Sequence, residues 1–255
     1  MNIVQFLHGL FPNVNFTNFL IIDLIAATTN ALNGVLLASQ PDYYWKNHWT
    51  VVGLLVLALF GGIGGGVTRD ILLNKIPGAI TNPWYLILCL VAGVVGIIIA
   101  NRAYAQGQKF RETLFSFMTS FSLPWYAVIG VQAGLDAHLP GIACVLLGVV
   151  GPTAGRYLID ITAGKTAKQF IRGEWFVGTA VLTSLAYLIL ALYLGLSIWP
   201  ATLIAFAFGF IFRVAALWFD WEEPMPRLPP SLMQGLSERE TLKEKMEPGW
   251  EPTEQ

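Results

Sequence analysis

Charge is what this sequence has least of. Only 12% of its 255 residues are Asp, Glu, Lys or Arg, and 15 basic side chains stand against 16 acidic ones for a net charge of −1. That balance excludes a nucleic-acid partner, because neutralising phosphates takes a clustered excess of Lys and Arg. Cysteine is nearly absent too. Cys89 and Cys144 each lie inside an apolar run, where a thiol acts as a small hydrophobe rather than as a metal ligand or disulfide partner. The histidines, His8, His48 and His138, sit at the ends of apolar segments or in loops, without HExxH spacing and without a recurring Ser/His or Cys/His pairing. There is no Walker motif. These absences argue against an enzyme, against a bound cofactor or metal, and against nucleotide-driven transport by this chain. Residues 1–16 contain no Lys or Arg and no small-residue cleavage site, so no removable signal peptide is expected.

What fills the sequence instead is apolar: 55% of residues are hydrophobic and the mean hydropathy is +0.59, more than one soluble core can bury. The solvent for that surface is a lipid bilayer. A spanning helix takes roughly 20 mainly apolar residues, and seven stretches qualify: 16–39, 49–73, 83–101, 113–134, 139–161, 175–196 and 198–219. Pro41-Asp42, Thr81-Asn82-Pro83, Ala105-Gln106-Gly107, Leu139-Pro140 and Trp199-Pro200 mark boundaries. Trp45, Trp49, Trp84, Trp175, Trp199, Trp218 and Trp221 fall near span ends, where interfacial aromatics belong. The expected fold class is an all-α polytopic membrane protein. From Asp220 onward the chain turns rich in Pro and Glu, reading as a disordered tail with one short helix near Ser237 to Lys245.

Short loops rich in Lys and Arg stay in the cytoplasm. With alternating spans, one face holds Arg69 and Lys75; the other holds Lys46, Arg102, Lys109, Arg111, Arg156, Lys165, Lys168 and Arg172, joined by the basic residues of the tail. The reading is an outside N-terminus and a cytoplasmic C-terminus in the cell (inner) membrane.

Two segments echo each other. The second span contains Gly61-Gly62-Ile63-Gly64-Gly65-Gly66-Val67-Thr68-Arg69-Asp70, and the fifth contains Gly148-Val149-Val150-Gly151-Pro152-Thr153-Ala154-Gly155-Arg156. Aligning Arg69 with Arg156 places Gly61 on Gly148 and Gly64 on Gly151. The preceding spans also match, Ala31-Leu32-Asn33-Gly34-Val35 against Ala127-Val128-Ile129-Gly130-Val131. Three spans per repeat is an odd number, so the halves cross the bilayer in opposite senses. The organisation reads as an extracytoplasmic segment 1–16, repeats 17–101 and 102–196, a seventh span 197–219 and the tail 220–255. Inverted repeats with helices broken at matching places are a hallmark of secondary transporters. Gly64-Gly65-Gly66 weakens a helix by about 1 kcal/mol per residue relative to Ala, and Pro152 removes a backbone hydrogen bond. Spans two and five are therefore expected to kink and line a polar pathway; the alternative is that small residues bring helices into close contact.

Ionisable groups at bilayer centre are costly, about 2.5 to 3.5 kcal/mol each, yet Asp23, Arg69, Asp70, Arg156 and Asp160 lie in or beside spans. Asp23 is placed to pair with an arginine inside the bundle, Arg156 with Asp160 on one helical face. Arg69 has the alternative of snorkelling to the interface, and Arg213 is expected to do so. Thr28, Thr29, Asn30 and Asn33 form a polar band that either faces a pore or bonds a neighbouring helix.

The paired segments GGIGGGVTRDILLN and GVVGPTAGRYLID resemble the bacterial branch of the trimeric intracellular cation (TRIC) channel family, which includes proteins with a "glycine transporter" domain. The resemblance covers residues 17 to 219. Its second motif departs from the family form at Pro152, Thr153 and Tyr157. The resemblance implies a homotrimer with a pore in each subunit, passing monovalent cations, chiefly potassium. It implies a path lined by Gly64, Gly65, Gly66, Arg69 and Asp70 from one repeat and Gly151, Pro152, Gly155 and Arg156 from the other, with Asp23 and Asn30 beside them. A secondary carrier of a small amino acid such as glycine is the alternative.

Overall fold

A computed structural model describes residues 17–40, 48–170, 175–221 and 223, and these are helical with no strand among them. Segment 1–16 and the tail, with its expected short helix, lie outside the described residues apart from Asp220, Trp221 and Glu223. Seven long helices follow in order: α1 Asn18–Ala38, α2 Val51–Leu72, α3 Pro83–Gln106, α4 Gln108–Asp136, α5 Gly141–Thr162, α6 Phe176–Leu192 and α7 Ile198–Trp218. A single turn, Gly78–Thr81, links α2 to α3, and a 3-10 turn, Lys168–Phe170, precedes α6. All but α6 are long and apolar enough to cross a membrane; α6 has 17 residues. It stops four residues before its apolar run does, because Gly195 adopts φ 60° and the chain turns there. Hydropathy counts Tyr193, Leu194 and Leu196 toward a span; the backbone puts them in the connection.

Local chemistry sets the ends. Thr17 and Thr50 cap α1 and α2, their hydroxyls accepting from the amides of Leu20 (3.1 Å) and Gly53 (3.0 Å). Pro83 opens α3, where a missing N–H leaves no helical bond unmade. The helices α2, α4 and α5 all close with a residue in the left-handed region, Asn74 (φ 53°), His138 (φ 55°) and Gly164 (φ 63°). In each the next amide bonds back to a carbonyl five residues earlier, Lys75 to Asp70, Leu139 to Gly134 and Lys165 to Asp160.

Helix α1 is the central post, packed on α2, α3 and α4, and Ile22, Ala26, Ala31 and Val35 along it have no exposure. Around it α2 crosses α5, and α7 closes against α6 and α4. The two repeats use the same crossing. A Cβ on Gly61 would come within 3.1 Å of Gly34 Cα, and one on Gly130 within 2.7 Å of Gly148 Cα. Those are the pairs that the sequence alignment of the two halves equates. The outward faces of α3 and α7 stay apolar, with Val91, Ile98, Leu203 and Ile211 exposed, as lipid-solvated surface requires.

Candidate pore site

Both glycine motifs lie inside unbroken helices, since α2 runs through Gly64, Gly65 and Gly66 and α5 through Pro152. The expected break in the helical ladder is not there. Most of the glycines serve helix contact. A Cβ on Gly65 would fall on the Gly151 carbonyl oxygen, one on Gly155 would lie 2.8 Å from the Gly61 carbonyl, and one on Gly64 3.3 Å from Gly155 Cα. At this crossing α2 and α5 touch backbone to backbone, which only glycine permits. Gly66 differs. Its nearest neighbours to an added Cβ are Arg69 Nη2 and the Tyr126 hydroxyl, both at 3.9 Å, and it borders a narrow cavity rather than a helix.

One turn beyond Gly66, Arg69 is buried and locked. Its Nη1 and Nη2 donate to Oδ1 and Oδ2 of Asp23, each at 3.0 Å, and its Nε donates to Asp70 Oδ1 at 2.8 Å. Tyr85 on α3 donates its hydroxyl to Asp23 Oδ2 at 2.7 Å, and the Gly78 amide donates to Asp70 Oδ2 at 2.9 Å. The Phe19 ring lies 5.5 Å from the guanidinium carbon. A planar fork meeting a carboxylate through two parallel bonds is the strongest arrangement a guanidinium has. Asp23, the alternative partner weighed against snorkelling, is what holds Arg69 inside.

This cluster floors an open vestibule of about 490 Å³ whose walls include Asp23, Arg69, Asp70, Lys75, Tyr85 and Asp136. Beneath it a second cavity, bounded by Ile63, Gly66 and Tyr126, has about 10 Å³, room for one water at most. There Tyr126 donates its hydroxyl to the Gly62 carbonyl. Below that level α2 and α5 are in contact.

The second repeat builds a different site around Arg156. Its guanidinium carbon stands 4.9 Å from the Phe176 ring and 5.8 Å from that of Phe115, and Arg213 approaches Phe176 from α7 at 5.9 Å. Arg213 is 1% exposed, so the expected snorkelling is corrected: α6 covers it with Phe176. Carrying the offset of the first spans forward, Thr119 stands where Asp23 stands in the first half, and Tyr157 answers Asp70. Asp160 is fully buried on α5. Asn30 is spent on structure, its amide donating to the carbonyls of Ala26 (2.9 Å) and, across to α4, Ser122 (3.2 Å). Asn33 accepts from Thr119 at 3.2 Å, while Thr28 and Thr29 bond carbonyls of their own helix. Of the predicted residues, Asp23, Arg69, Asp70 and Gly66 meet at one site; Gly64, Gly65, Gly151 and Gly155 form the crossing, with Pro152 buried in α5, and Arg156 lies apart. Tyr85, Tyr126 and Asp136 were not singled out in the sequence, and tyrosines among apolar residues give no signal that would have found them.

The arrangement is that of a multi-pass membrane protein with the fold of the TRIC cation channels. A solved structure concerned with conductance through TRIC cation channels superposes with a TM-score of 0.68 at 24% identity, covering 84% of this chain and 99% of that one. The TRIC orthologue from Rhodobacter sphaeroides also gives 0.68 at 24% identity, covering 80% and 99%. Residues 20–101 match the family described as "Glycine transporter". UPF0126 inner membrane protein YadS of Escherichia coli K12 is 21% identical over 206 residues, 80% of this chain and 93% of the relative. UPF0126 membrane protein SCO4104 of Streptomyces coelicolor is 31% identical over 83 residues, 32% of this chain and 36% of that protein. The resemblance carried by the two glycine motifs therefore holds, and these likenesses are to channels and membrane proteins rather than to enzymes.

Proposed function

We propose that this chain is a passive channel for monovalent cations, chiefly potassium, acting as a homotrimer with one pore in each subunit. The observation that carries this reading is the buried Asp23–Arg69–Asp70 cluster at the floor of an open vestibule, within the TRIC fold. Two carboxylates around one guanidinium hold a net charge of −1. A site of that strength attracts a monovalent cation without trapping it, which conduction requires. Seven spans follow if α6 crosses as well, its 17 residues reaching about 25 Å at 1.5 Å rise. The uneven distribution of Lys and Arg then puts the vestibule outside the cell and the Arg156 end in the cytoplasm of a cell (inner) membrane protein.

Opening requires α2 and α5 to separate where Gly65 meets Gly151, and the Tyr126 hydroxyl to leave the Gly62 carbonyl. Arg69 keeps its carboxylates throughout, because an uncompensated guanidinium would repel the permeating ion. The repeats 17–101 and 102–196 then act as the two walls of the path.

The test is purified protein in planar bilayers under a potassium gradient, with and without glycine. Unitary currents reversing near the potassium potential, unchanged by glycine, are expected. Silence in the bilayer together with saturable glycine uptake into liposomes would replace the channel by a carrier.

A further inference from the structure

The sign of the vestibule hangs on one residue. Its described ionised lining groups are Asp23, Asp70 and Asp136 against Arg69 and Lys75. Arg69 is consumed by its two carboxylates, leaving −1 at the floor, and Lys75 cancels that charge. The net negative charge of the entrance is therefore supplied by Asp136, at the last turn of α4.

Asp136 is exposed, yet its carboxylate has a fixed bearing. Gln132, one turn earlier, donates from Nε2 to Asp136 Oδ1 at 2.7 Å. The other end of the same amide is held by α6, where Tyr187, fully buried, donates its hydroxyl to Gln132 Oε1 at 2.5 Å. A carboxylate that can only accept makes Gln132 turn its amino group toward Asp136 and its carbonyl inward to the Tyr187 hydroxyl. Asp136 then receives a hydrogen bond to one carboxylate oxygen and keeps the other for the vestibule.

We infer that Asp136 is the residue that concentrates cations at the vestibule mouth, and that Gln132 and Tyr187 are its positioning residues. The inference rests on the cation-channel reading and adds to it a residue outside the glycine motifs. A single charge about 10 Å from an ion's path changes local cation concentration roughly two-fold when salt does not screen it. The effect disappears at high ionic strength, whereas a structural defect would persist.

The experiment compares wild type with Asp136→Asn and Lys75→Gln in planar bilayers, at about 10 mM KCl, where charge reaches about 30 Å, and at about 1 M, where it reaches about 3 Å. Asp136→Asn is expected to lower unitary conductance about two-fold in dilute salt and leave it unchanged at 1 M. Lys75→Gln should raise conductance in dilute salt. Tyr187→Phe should reproduce part of the Asp136→Asn loss with the same salt dependence. For a control within one folded protein, Asp136→Cys is treated with an anionic sulfonatoethyl thiosulfonate or with its cationic trimethylammonioethyl counterpart; the anionic adduct should restore conductance and the cationic one lower it further. Equal conductance of wild type and Asp136→Asn in dilute salt, or equal effects of the two adducts, overturns the role of Asp136 while the channel stands. A wild-type protein that passes no current at either salt concentration removes the channel reading, and this inference with it.

Discussion

Arg69 and Asp23, 46 positions apart in the chain, face each other through two parallel hydrogen bonds of 3.0 Å with neither side chain more than 3% exposed. Removing Arg69 leaves Asp23 and Asp70 charged and buried without their cation, and removing Asp23 leaves Arg69 with Asp70 alone; breaking buried pairs of this kind costs about 3 to 5 kcal/mol. Asp23→Asn and Arg69→Met should each lower the thermal midpoint of the protein in detergent steeply. The double variant should be less destabilised than the two losses added together, because Asp23 and Arg69 no longer leave each other uncompensated and only Asp70 has lost its cation. Strict additivity in that cycle would show that the pair does not hold the two helices together.

The pairing was legible in the sequence because ionisable residues at membrane depth must find each other. Asp23 and Arg69 both fall toward the same face once the spans alternate. The span boundaries were legible for the same kind of reason: hydropathy, Pro-containing turns and interfacial Trp are local signals. The glycine motifs announced a special place but not its nature. Spacing alone could not divide the glycines that meet another backbone, Gly64, Gly65 and Gly155, from Gly66, which meets a cavity. Tyr85, Tyr126 and Tyr187 were invisible because an aromatic in a hydrophobic helix reads as core until its hydroxyl has a partner. Arg213 misled because its place near a helix end does not reveal that Phe176 covers it from α6.

The division of labour among the glycines is a contrast between neighbours. Gly65→Ala drives a methyl group into the Gly151 carbonyl, and overpacking of that kind costs about 1 to 3 kcal/mol. Gly66→Ala meets nothing closer than 3.9 Å and gains up to about 1 kcal/mol of helix propensity. Thermal unfolding should therefore separate two adjacent, chemically identical substitutions in opposite directions. Matching midpoints for the pair would argue that α2 and α5 do not touch in the membrane.

Tyr126 joins the two halves, its hydroxyl on α4 donating to the Gly62 carbonyl of α2. Tyr126→Phe keeps the ring and deletes that bond, with a loss of about 1 kcal/mol. If parting of the helices opens the path, the lost bond favours the open state, and open probability in the bilayer should rise by roughly five-fold for that energy. A fall in open probability would place the gate elsewhere.

The last contact lies at the opposite end, where α6 begins without help from its own sequence. Trp175 occupies the N-cap position and makes no side-chain cap bond. The cap comes from beyond α7: Glu223 Oε1 accepts from the Gly178 amide at 2.7 Å. A carboxylate at a helix N-terminus satisfies an orphan donor and meets the positive end of the helix dipole, together worth about 1 kcal/mol or more. The first residue of α6 is Phe176, whose ring lies against both Arg156 and Arg213, so loosening this turn loosens the aromatic shelf for two buried arginines. Glu223→Ala should speed hydrogen exchange at the amides of 176–179 and lower the thermal midpoint, while Glu223→Gln, which retains an acceptor but not the charge, should fall between the alanine variant and wild type. Removal of every residue after 223 should leave exchange in that turn unchanged. Protection lost with that truncation but not with Glu223→Ala would assign the cap to the tail rather than to Glu223.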